Sequence, residues 1–250
     1  MKGIRVLEIS AEGLHGITLP VLRRPPVRPN EDPTEELVQW GTKLYSYSVI
    51  AHVGTIMSGL LELGKSENIP ASEILSRHMY EWTAHTCYMS RKLTELSQKK
   101  DWHGAWELLS KAATGNYWAK QYGTKYAPSN VTIPTGVTNS IRVTELIEAY
   151  EKHQIEQFGS SNAKDSYSLL CEFSHPNSVC LQHYHSYNGN DVTFTAPDAE
   201  SSTLPVVNWC TIDLLMFLNT LLGLAQDSVV LPPIVAMLKN IAALAPPQRT

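Results

Sequence analysis

Seven residues of one segment, Leu75, Met79, Trp82, Thr86, Met89, Leu93 and Leu96, recur at alternating intervals of four and three. That spacing keeps a single stripe of an α-helix turned toward a neighbour for about six turns. A strand cannot present such a stripe on one face, because its side chains alternate with period two. The chain is therefore expected to pack helix on helix, in the manner of an antiparallel bundle.

Further helical stretches follow from the same reasoning. They are expected over about 33–63, 71–97, 101–111, 140–158, a segment ending near Ser174 or His175, 204–225 and 233–244. Asp32 with Pro33 suits the start of the first, and Gly64 suits its end. Residues 4–9 alternate as a short strand would, and residues 20–33 hold five prolines, so 1–31 is expected to be an extended arm. Residues 179–187 and 191–196 flank Asn188-Gly189-Asn190, a hairpin signal. Residues 126–138, with two prolines and Gly136, are expected to form a covering loop. The expected fold class is all-α: one domain over 32–250, a bundle of six or seven helices with one small β-hairpin insertion near 179–196.

On the helix holding the seam, Arg77, Glu81 and His85 form a semi-polar band beside the apolar stripe. Glu73, Ser76, Thr83, Cys87 and Ser90 fall on the far side and are expected to face solvent. Apolar residues make up 43% of the chain and charged residues 18%, which excludes an intrinsically disordered polymer. A net charge of −4 gives no overall attraction to nucleic acid or anionic lipid. The four cysteines are widely spaced and no signal segment leads the chain, so a cytoplasmic location with free thiols is expected. Leu44 to Leu61 carries no Asp, Glu, Lys or Arg, but its Ser, Thr, Gly and His residues suit a packed helix better than lipid, and no membrane partner is expected.

The chemistry concentrates in two places. Ser168, Glu172 and His175 recur at i, i+4 and i+7, on one face of a helix that Pro176 stops. Arg77 and Glu81 stand at i and i+4 on the seam helix, where a guanidinium leaving water needs a carboxylate. If the two segments meet, Arg77 can hold an anion such as a phosphate while His175 serves as acid or base. The other reading is an Arg–Glu–His network that only fixes the register of two helices. Separately, Cys171, His175, Cys180, His183 and His185 are zinc-type ligands close in sequence, although their spacing fits no familiar finger. No Gly-rich phosphate loop, H-E-x-x-H or nucleophile elbow occurs, and no cofactor is expected.

The pairing of Leu-Ser-Arg-His-Met-Tyr-Glu-Trp (75–82) with Tyr-Ser-Leu-Leu-Cys-Glu-Phe-Ser-His-Pro-Asn (167–177) resembles a family of mostly bacterial helical proteins, a domain of unknown function. Its pattern is an R-x3-E helix followed by a Y-x2-L-x-E-x-x-H-P helix. The resemblance spans roughly 35–225 and implies that Arg77, Glu81, Tyr167, Glu172 and His175 come together between two helices. It brings no activity. A more distant similarity is to the helical HEPN nucleases, which cleave RNA without metal using an Arg and a His on one helix. Here the nearest equivalent is Arg77-x7-His85, one residue longer than that pattern, with His175 on another helix.

Three functions are consistent with these residues. The first is binding of a small ligand or a partner protein at an Arg77, Glu81, Glu172, His175 cleft, with Tyr167, Ser168 and His85 contributing. The second is a metal-independent ribonuclease of defence or toxin type, using Arg77, Glu81 and His175. The third is a zinc-stabilised interaction module. The sequence leaves the oligomeric state open.

Overall fold

The computed structural model describes residues 2–26, 32–66, 68–114, 141–174, 185–188, 191–194 and 204–244. Among them are eight helices: α1 (Lys2–Gly16), α2 (Glu35–Lys65), α3 (Ile69–Gln98), α4 (Trp102–Thr114), α5 (Val143–Phe158), α6 (Ala163–Ser174), α7 (Leu204–Leu224) and α8 (Leu231–Ala242). They form a helical bundle in which α3 is the hub, touching α2, α4, α5, α6 and α7. The seam residues Met79, Met89 and Leu93 are buried, as the four-three spacing requires. The expected cap of α2 moves by two residues: Thr34, not Asp32, accepts from the Leu37 N–H at 3.2 Å.

The expected solvent face of α3 is instead interior. Ser76, Thr83, Cys87 and Ser90 are buried, and so is Glu73, whose carboxyl burial pushes up to about 7. Thr83 donates to the Cys210 carbonyl of α7 at 3.2 Å, and Cys87 lies 3.9 Å from the Ala149 carbonyl of α5. Five neighbouring helices cover this side of α3, so its small polar residues mark close packing rather than solvent. Burying their hydroxyls costs little because carbonyls four residues back receive them: Ser76 donates to Ser72 at 2.7 Å and Thr83 to Met79 at 3.0 Å. Their small volume lets α7 and α5 approach.

The N-terminal expectation also needs correction. Residues 4–9 belong to helix α1, not to a strand. Leu7, Ser10, Ala11 and Leu14 occupy i, i+3, i+4 and i+7 and are all buried, a helical period that outweighs the short alternation. Gly13 faces α8 so closely that a Cβ there would fall 2.1 Å from Met237 Sδ. Of the described residues of the arm, 17–26 run without helix, with Ile17, Leu19 and Leu22 packed on the core.

A short antiparallel ladder pairs β1 (His185–Asn188) with β2 (Asp191–Phe194), Asn188 opposite Asp191. The remaining residues of 179–196 lie outside the described residues, as does the expected loop over 126–138. Two segments, α2 and Pro205–Leu224 of α7, are long and apolar enough to cross a membrane, and in the bundle 50% and 56% of their most apolar windows are buried.

The tight α3–α7 contact has a direct check. Thr83→Leu is expected to overpack it and lower stability by about 1–3 kcal/mol in urea denaturation. The same leucine at exposed Ser168 should stay within about 0.5 kcal/mol of the parent. Equal stability of the two variants would remove the close approach from the fold.

Candidate functional site

Helices α3 and α6 do bring together residues that are far apart in sequence. Arg77 Nε donates to Glu81 Oε1 at 3.1 Å, and the Tyr167 hydroxyl donates to the same oxygen at 2.9 Å. The guanidinium carbon stands 5.8 Å from the centre of the Tyr167 ring, a cation–π arrangement. Cys171 lies one turn further along α6. The Arg77 and Glu81 side chains remain 30% and 28% exposed, so the pair is half-solvated rather than enclosed. Burial and then the Glu81 charge raise the Tyr167 phenol, which stays protonated as a donor.

Of the other expected members, His85 separates from the cluster. Ser168 and Glu172 are exposed on α6. His85 turns toward α2, its Nδ1 2.7 Å from the Tyr45 hydroxyl, and burial pushes it down to about 4. It is a neutral packing partner there, not a companion of Arg77. His175, Cys180 and His183 lie outside the described residues, as does the side chain of His185. Among the described residues no group of three His, Cys, Asp or Glu side chains suits a metal.

Beside the Arg77 cluster lies a cleft of about 410 Å³, between α5, α6 and α7 and floored by α3. The local sequence builds its rim. Gly159 ends α5 in the left-handed conformation (φ 76°) that glycine adopts without strain, and its N–H donates to the Ile155 carbonyl at 2.8 Å. Residues 160–162 then cross to α6. Ser161 donates to Gln154 at 2.7 Å and accepts from the Ala163 N–H at 3.0 Å, and the Tyr80 hydroxyl ties down the Ala163 carbonyl at 2.8 Å. Phe158 and Trp209 stand at the mouth, 60% and 59% exposed, with ring centres 6.2 Å apart. Inside, the rings of Tyr80 and Tyr150 meet edge to face at 5.5 Å.

Asp213 lies at the base of this cleft and is 3% exposed. The Tyr150 hydroxyl donates to its Oδ2; among the described residues the carboxyl has no other hydrogen bond and no ion-pair partner. Burial raises its pKa above the ordinary aspartate value, although Tyr150 and the nearby His153 pull the other way. The same molecule contains a contrasting case. Asp227 is equally buried, but it accepts from the Tyr47 hydroxyl and from the N–H groups of Val229 (2.9 Å) and Val230 (2.7 Å). Burial alone would raise Asp227 too; with these donors its pKa is lowered. Asp227 is a satisfied structural acid at the start of α8. Asp213 has one donor among the described residues and lines a cavity.

Sequence reasoning missed Asp213, Tyr150, Tyr80, Phe158 and Trp209. One signal was present: Asp213 is the sole acidic or basic residue between Leu204 and Leu224. A lone carboxylate in so apolar a helix needs a reason to be kept. Comparison of the chain with protein-family models, with curated proteins and with solved structures finds no match, so the site is judged on its own geometry.

A raised folded-state pKa means that Asp213 favours folding at low pH and that this stability is lost as pH rises through its folded value. Asp213→Asn keeps an acceptor for Tyr150 without the charge. It is expected to raise Tm at pH 7.5 and to match the parent near pH 4 in scanning calorimetry. A lower Tm for the asparagine variant at pH 7.5 would contradict the assignment.

Proposed function

We propose that this protein is a cytoplasmic small-ligand receptor, a helical bundle that holds its ligand in the cleft between α5, α6 and α7. One observation carries the reading: two large aromatic side chains, Phe158 and Trp209, are left exposed at the mouth of a cavity whose base holds an undersatisfied acid. Exposed rings beside a concavity of this size are typical of binding sites rather than of inert surface. The volume favours a small molecule over a partner protein. The buried free thiols of Cys87 and Cys210 agree with a reducing compartment.

In this reading the Arg77–Glu81–Tyr167 cluster supports the site instead of forming it. Tyr167 stacks on Tyr80 at 6.0 Å, and Tyr80 in turn holds the first residue of α6, so the cluster sets the position of one cleft wall. The ribonuclease alternative calls for a histidine beside Arg77; His85 contacts Tyr45 instead, and His175 lies outside the described residues. The zinc alternative rests on positions outside the described residues. A β-hairpin insertion over 179–196 is part of the proposed architecture, supported by the ladder of β1 with β2.

Crystallographic soaking of a fragment library is the test. Fragments are expected to collect between Trp209 and Asp213, and the Trp209→Ala protein should lose them. Fragments that collect elsewhere, or none in the cleft, would overturn the proposal.

A further inference from the structure

The chemistry of the cleft narrows its ligand, on the premise that the cleft is the binding site. Among the described residues lining it are four aromatic rings and one acid, and no lysine, arginine or histidine. An anionic ligand would meet no formal positive charge and would be repelled by Asp213. Helix ends do not reverse this balance: α5 terminates and α6 begins at the same rim, so a negative dipole end and a positive one lie side by side. Asp165 in the first turn of α6 further offsets the positive end.

A neutral, hydroxyl-rich ligand is the next candidate, and the rim offers it less than its composition suggests. Gln154 Oε1 and the Ser161 hydroxyl are already committed to each other, and Ser161 also receives the Ala163 N–H. The Tyr80 hydroxyl is spent on the Ala163 carbonyl, and the Tyr150 hydroxyl on Asp213. Ser160, Asn162 and Ser166 add short polar side chains at the rim, but the large features of the cleft are the rings of Phe158 and Trp209 and the charge-accepting capacity of Asp213. Both complement a cation: aromatic faces attract it through their quadrupole, and a buried carboxylate needs a positive partner to ionise at low cost.

We infer that the cleft binds a small organic cation of the ammonium type, its alkyl or methyl groups against Trp209 and Phe158 and its charge directed toward Asp213. The undersatisfied acid is then a ligand-completed ion pair. Asp227, which has its donors within the chain, shows that the fold can saturate a buried aspartate where no ligand is served.

The test uses the full chain and two probes of nearly equal shape, choline and its neutral carbon isostere 3,3-dimethylbutan-1-ol, titrated by NMR on the Trp209 indole N–H. Choline is expected to bind at least about tenfold more tightly, the factor that 1.4 kcal/mol of charge preference represents. Asp213→Asn, which should fold at least as stably as the parent, is expected to erase that preference while still binding both probes. Equal binding of the two probes by the parent, or preference for choline that survives in Asp213→Asn, overturns the cation assignment. Fragments seated in the cleft with no preference for choline would sink this inference alone. An empty cleft in both experiments would sink the receptor reading with it.

Discussion

The close approach of α7 to the small-residue stripe of α3 decides where the groups of the candidate site lie. Thr83 reaches the carbonyl of Cys210, and Asp213 follows Cys210 by three residues, so this contact places the carboxyl within the bundle. Tyr80, three residues before Thr83 on the same helix, is thereby set beside Tyr150 of α5 and holds the first residue of α6. A chain of rings, Tyr167, Tyr80, Tyr150 and Phe217, then links α6, α3, α5 and α7 at centre separations of 5.5 to 6.4 Å. Bulkier residues on the α3 stripe would push α7 outward and open this arrangement from its base.

The two buried aspartates show what such packing costs. A carboxyl removed from water loses its hydration and must recover hydrogen bonds within the protein or be protonated. Asp227 recovers them from the turn before α8 and from Tyr47. Among the described residues Asp213 recovers one, from Tyr150, in a helix otherwise free of charge. Undersatisfied polar groups are rare inside folded proteins and concentrate where function demands them. The position of Asp213 at the base of a cavity with exposed rings at its mouth gives that demand a form.

Much of the bundle was legible in the sequence, for identifiable reasons. The four-three spacing on α3 and the cap-and-breaker signals located α2, α3, α5, α7 and α8 to within a few residues. The meeting of Arg77 and Glu81 with Tyr167, 86 positions beyond Glu81, also agrees with expectation. Three things were not legible. Small polar residues on α3 look like solvent contacts until the number of neighbouring helices is known. Helix α1 was hidden because Ile4, Val6 and Ile9 mimic a strand more openly than Leu7, Ala11 and Leu14 announce a helix. The partner of Asp213 is 63 positions upstream on another helix, and no local pattern connects Tyr150 to it.

The ionisation of Asp213 is the quantity on which these conclusions converge, and it can be read directly. Carboxyl ¹³C shifts of Asp213 and Asp227, followed through a pH titration of the ligand-free protein, give both pKa values in one sample. Asp213 should titrate above the ordinary aspartate value of about 3.9 and Asp227 below it. An Asp213 that titrates at or below the ordinary value would mean that the carboxyl is solvated or already paired, and the cleft would lose the group that defines it.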